Sequence, residues 1–71
     1  MHISDFIKLN LKMGDYIWLV DEKGEGFPGN YRGNFDNSKQ TFDFANHSNG
    51  KIQNMEIQKL QKLELVKQGL L

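Results

Sequence analysis

Seventy-one residues, 38% hydrophobic and free of cysteine, define one small domain with a thin core: at this length folding buries only about 60% of the surface that the unfolded polypeptide exposes. Nine basic and nine acidic side chains cancel, which removes the long-range field that draws strongly basic domains onto nucleic acid. With no Cys and only His2 and His47, disulfide and metal staples are not expected, and self-association is the remaining route by which such a small domain gains stability.

At the N-terminus, Ser4 is the expected N-cap of a short helix over residues 4–12, with Phe6, Ile7 and Leu11 on its apolar side and Gly14 beyond its end. The run Tyr16-Ile-Trp-Leu-Val20 reads as a strand because β-branched and aromatic residues suit the pleated backbone. Ile17 and Leu19 share one face, and Tyr16, Trp18 and Val20 the other. Residues 21–30 hold three glycines and the only proline, a composition that predicts a long hairpin loop within the glycine-rich stretch from Gly24 to Gly33. A second strand is expected to carry Tyr31, Gly33 and Phe35 on one face, with a turn at Asp36-Asn37-Ser38. A third carries Phe42 and Phe44 on one face and is closed by a turn at residues 46–50.

The last third admits two readings. Helix-forming residues place Ile52, Met55, Leu60, Leu63, Val66 and Leu70 on one stripe, which gives a β-meander with a C-terminal helix over 53–68. In the preferred reading there are two strands: Met55 and Ile57 share a face, a tight turn falls near Leu60, and Leu63 and Leu65 face inward on the next strand.

The order of these elements, with Tyr31-Arg-Gly-Asn-Phe35, Thr41-Phe-Asp-Phe44 and Ile57-x-x-Leu60-x-x-Leu63-x-Leu65, resembles the Sm-like small barrels. That group includes the bacterial RNA chaperone Hfq and the C-terminal domain of the ribosome maturation factor RimP. Gly14-Asp15 ahead of the first strand is equally similar to SH3-like barrels of the KOW and Tudor type. The resemblance implies a mainly β, five-stranded antiparallel barrel with a short N-terminal helix that self-associates through its edge strands. Gly33 would match the glycine of the bent second strand. The Arg-Gly pair of eukaryotic Sm proteins and the Lys-His pair of Hfq are missing, so no nucleotide-binding residues carry over.

Several patterns invite functional readings. Gly24-Glu-Gly-Phe-Pro-Gly29 matches GxGxxG, but a strand pattern follows it where a dinucleotide site needs a helix N-terminus. Asp21, Glu22 and Glu25 read as a solvated acidic loop. Neither His2 nor His47 has partners at metal-ligand or catalytic spacing, so no enzyme activity and no cofactor are expected.

The expectation is a non-enzymatic binding module in which Phe27, Tyr31 and Arg32, with Tyr16 and Trp18 nearby, dock a protein partner or a small ligand held at a subunit interface. Phe27 beside Pro28 reads as an exposed loop tip, the position with the least structural reason to be apolar. A mobile-element accessory or an inhibitor of a host factor would suit such a compact, uncharged homo-oligomer. The alternative is an RNA-binding protein using Arg32, Tyr31 and the C-terminal third, where four lysines including Lys51, Lys59 and Lys62 face two glutamates for a net charge of plus two. The N-terminus lacks a basic signal-peptide region and no segment reaches the length of a membrane span, so the protein is read as cytoplasmic.

Overall fold

The computed structural model describes residues 1–66. Helix α1 spans Ile3–Lys8 and is capped by His2, not by Ser4: the extended His2 backbone turns its Nδ1 toward the Ser4 amide, which donates to it at 3.1 Å. The helix is shorter than its sequence pattern suggests because Asn10 adopts a left-handed φ of 50° and the Lys12 amide donates to Asp15 Oδ2 at 2.8 Å, which starts a turn instead of another helical residue. Gly14 serves the entry to the first strand, donating to the Tyr31 carbonyl at 2.8 Å. Phe6 is the buried anchor of α1, while Ile7, expected beside it, is 55% exposed.

Five antiparallel strands follow: β1 Tyr16–Val20, β2 Gly26–Tyr31, β3 Thr41–Asn46, β4 Lys51–Glu56 and β5 Lys62–Leu65, with a 3-10 turn at Ile57–Lys59 between the last two. They form one sheet in the order β4-β3-β2-β1-β5. The sheet is open, with β4 and β5 at its two edges. The last third is therefore two strands over the described residues, and the helical alternative is overturned as far as Val66, positions 67 and 68 lying outside them. Among the described residues no helix is long and apolar enough to cross a membrane.

The glycine-rich stretch differs most from expectation. Its loop shrinks to residues 21–25, held by Asp21 Oδ1, which accepts the amides of Lys23 and Glu25 at 2.9 Å each. From Gly26 the backbone is already strand, paired with β1 in the register Leu19↔Phe27, Trp18↔Pro28 and Ile17↔Gly29. Pro28 is tolerated because it lies beyond the last β2–β3 pair, Gly29↔Asn46. Its missing N–H costs no ladder bond, and its carbonyl still accepts from His47 N at 2.9 Å.

The expected strand through Phe35 ends at Tyr31, since Gly33 and Asn34 take positive φ values of 77° and 53°. Tyr31, Gly33 and Phe35 therefore do not share a strand face. Phe35 instead stacks on Phe6 with ring centroids 5.3 Å apart. The turns at residues 36–40 and 47–50 form where turn residues cluster, the first closed by reciprocal backbone bonds between Asp36 and Thr41.

One face of the sheet carries the core. Ile17, Leu19, Phe42, Phe44 and Ile57 have no exposed surface, and Phe6, Leu60, Leu63 and Tyr31 complete the cluster. Helix α1 lies over this face, its Phe6 ring stacked on Phe42 at 5.1 Å, and the N-terminal ammonium donates to the Leu60 carbonyl. Met55 packs against the core as expected, and Ile57 joins it from the 3-10 turn. Leu65, expected inward with Leu63, is 41% exposed on the free edge of β5.

Burial pushes the Tyr31 hydroxyl above its ordinary 10.0. A folded-state value above the unfolded one gives stability that is complete below the unfolded value and lost as pH rises through the folded one. Urea unfolding is therefore expected to show falling stability on the alkaline side of pH 10.0, with a shallower fall in Tyr31→Phe.

Candidate functional site

Strand alternation divides the candidate residues between two faces. Tyr31 is in the core, and Phe27, far from being an exposed loop tip, is a half-buried β2 residue paired with Leu19 and packed against the core. Arg32 is exposed just past β2, tied to β3 through its backbone amide, which donates to Asp43 O at 2.9 Å. Tyr16 and Trp18 point to the opposite, outer face. The five residues proposed as one contact surface are thus separated, and only Tyr16 and Trp18 stand side by side on an accessible face.

That outer face has a built centre. Trp18 is 37% exposed and its indole fills the space beside Gly26, where a Cβ would come within 2.1 Å of indole Cζ2. Its cross-strand neighbours are Pro28 on β2 and Glu64 on β5. Next along β1, Tyr16 stacks on His47 with centroids 5.6 Å apart and planes 22° from parallel. His47 Nε2 lies 2.6 Å from Asn30 Oδ1, while Asn30 Nδ2 donates to the Gly14 carbonyl at 3.0 Å. Because Oδ1 can only accept, Nε2 carries the proton. Ala45 and the 61% exposed Ile52 extend the same face across β3 and β4.

Gly26→Ala tests this packing directly. The new methyl displaces the indole, so Trp18 fluorescence should shift to the red while unfolding free energy falls by only about 1 kcal/mol, the colliding atoms belonging to a side chain that can turn away.

The lysines of the alternative site stand on different elements. Lys51 begins β4 at one sheet edge and Lys62 begins β5 at the other. Lys59 sits 3.1 Å from Glu56, whose carboxylate raises its pKa, and Lys62 lies 3.7 Å from Glu64.

Asp21 and Glu22 line a cleft of about 290 Å³ with Met55, Glu56, Lys59 and Leu60, where the β1–β2 turn approaches β4. Among the described residues no group of three His, Cys, Asp or Glu side chains is placed to hold a metal ion. His2 is a helix cap, and Gly24, Gly26 and Gly29 lie in a hairpin that continues as strand, so the GxGxxG spacing is not followed by a helix.

The sequence puts Tyr16 and Trp18 on the opposite face of β1 from Ile17 and Leu19, but it does not mark Gly26, Pro28, Asn30 or His47. Once residues 26–31 are a strand, alternation puts 26, 28 and 30 on one face, but their glycine, proline and asparagine argue locally against a strand. His47 has no signal of this kind, because only the fold of the β3–β4 turn brings it to Tyr16. Comparisons with protein-family models, with curated proteins and with solved structures find no match to this protein.

Proposed function

We propose that this domain is a non-enzymatic binding module of the small SH3-like or Sm-like barrel type, docking a protein partner through the outer face centred on Trp18 and Tyr16. One observation carries the reading: Trp18 is seated on a glycine that leaves it room, on the face the core does not use. Exposed, rigid aromatic side chains beside proline and amide groups are the composition of interface hot spots, giving large contact area with little ordering cost. The strand order β4-β3-β2-β1-β5, with a 3-10 turn before β5, supports the barrel class. The position of β4 and β5 as edge strands among the described residues supports self-association, and a small ligand bound between copies would meet the same aromatic residues.

Local ion pairing of Lys59 and Lys62 and the separation of Lys51 from Lys62 favour a protein over RNA. The RNA reading expects affinity that falls steeply with salt. On the protein reading, RNA binding at low salt is undetectable.

Trp18→Ala tests the proposal. Because the indole is partly solvated, the thermal midpoint should fall by only a few degrees, a loss of about 1 kcal/mol, while protein capture by the immobilised domain is abolished. Unchanged capture with a large fall in midpoint would make Trp18 a packing residue and end the proposal.

A further inference from the structure

Of seven asparagines, only Asn49 is followed by glycine. The pair occupies the β3–β4 turn, fully on the surface, with Gly50 at a φ of 71° and no heavy atom within 4 Å of where its Cβ would stand. An Asn-Gly step is chemically special because no substituent on the second residue shields its backbone nitrogen from the asparagine carboxamide.

Reaction proceeds by attack of the Gly50 nitrogen on Asn49 Cγ. An N–C bond forms as the amide proton passes to solvent. The Cγ–Nδ2 bond of the carboxamide then breaks, and its nitrogen leaves as ammonia. Water opens the resulting cyclic imide at either carbonyl, giving aspartate or isoaspartate, so that amide and water become carboxylate and ammonium with no change of oxidation state.

Two hydrogen bonds of the folded turn bear on this step. The Gly50 amide donates to the Asn46 carbonyl at 2.8 Å, which ties up the hydrogen that must be lost for the nitrogen to attack. The Lys51 amide donates to Asn49 Oδ1 at 2.9 Å, which fixes the carboxamide. Asn49 and Gly50 are both exposed, so opening of these two bonds governs how often the step can react.

We propose that Asn49 is a deamidation site held back by the folded β3–β4 turn, reacting through opening of the Gly50 to Asn46 hydrogen bond. The product puts a new carboxylate at the hairpin tip, beside Lys51, in a protein whose formal net charge is zero. In its isoaspartate form it also adds a methylene to the backbone next to the Asn46↔Lys51 pair.

The 71-residue protein is incubated at neutral pH in buffer and in urea, with deamidation located by peptide mass and isoaspartate labelling. Asn49 should react in urea at the rate of an open Asn-Gly peptide and at least roughly tenfold more slowly in buffer, the factor imposed by a turn that must open first. Gly50→Ala should suppress the reaction in urea. A smaller ratio between the two conditions, or no reaction at Asn49 in urea, overturns the proposal.

Discussion

Gly29→Ala is expected to remove a large share of the protein's stability, about a third to three quarters of it. Gly29 is buried in the middle of the sheet, and a methyl there would stand 2.2 Å from the Ala45 carbonyl oxygen and 2.5 Å from the Phe44 ring. The first of these is backbone, held in the β2–β3 ladder by the pair Asn30↔Ala45, so relief requires separating the two strands. Overpacking in a tight core costs typically 1–3 kcal/mol, and a clash with ladder backbone belongs at or above the top of that range, about 3 kcal/mol. A domain of this length holds about 4–10 kcal/mol in total. Urea unfolding followed by Trp18 fluorescence should show a midpoint shifted far toward water, or no folded baseline at all. The contrast with Gly26→Ala, three residues away on the same strand, is informative: there the new methyl meets an indole that can move.

Phe42→Ala should produce a loss of similar size by the opposite route. Phe42 has no exposed surface and joins the two halves of the core, its ring 5.1 Å from that of Phe6 on α1 and 5.7 Å from that of Tyr31 on β2. Removing it leaves a cavity that neither the helix nor the sheet can collapse to fill, at a cost of about 3–5 kcal/mol. Since α1 is only six residues long and cannot persist alone, its helical signal should disappear at lower denaturant than in the wild-type protein. Helical circular dichroism and Trp18 fluorescence should still report one coincident transition, because both elements depend on the same core.

How far such a fold can be read from its residues depends on what each segment needs. Tyr16–Val20 was legible as a strand from its β-branched and aromatic composition and Thr41–Asn46 from Phe42 and Phe44 sharing one face, and Phe42, Phe44, Ile17 and Leu19 are all fully buried. The 53–66 region was resolved toward strands by an apolar pattern whose helical stripe left Ile57 outside, and Ile57 is in fact fully buried. Residues 26–31 were illegible for a physical reason. Local propensity argues against a strand of glycine, proline and asparagine, yet β2 is central, and it is held there by pairing on both sides. Glycine is needed at 26 and 29 because an indole, a carbonyl and a phenyl ring occupy the space of a side chain, which no single-strand pattern reveals.

The candidate site is hidden for the same reason. A flexible loop over residues 21–30 would make Phe27 an exposed projection with Tyr31 beside it on a contact surface. Once β2 is a strand, odd positions 27 and 31 turn to the core and even positions 26, 28 and 30 frame Trp18 and Tyr16 on the other side. This surface is smaller and better defined than the whole glycine-rich hairpin. It includes a histidine contributed from a turn 31 residues away in sequence from Tyr16, brought there by the order of the strands.

The most direct test of this surface is a photoreactive aromatic amino acid introduced in place of Trp18, with the same residue at exposed Gln58 on the 3-10 turn as the control. Irradiation of cells producing each form should give a discrete protein adduct at position 18 and none at position 58. An adduct to RNA, identical adducts at both positions, or no adduct at position 18 would contradict the assignment of the Trp18 face as a protein-docking surface.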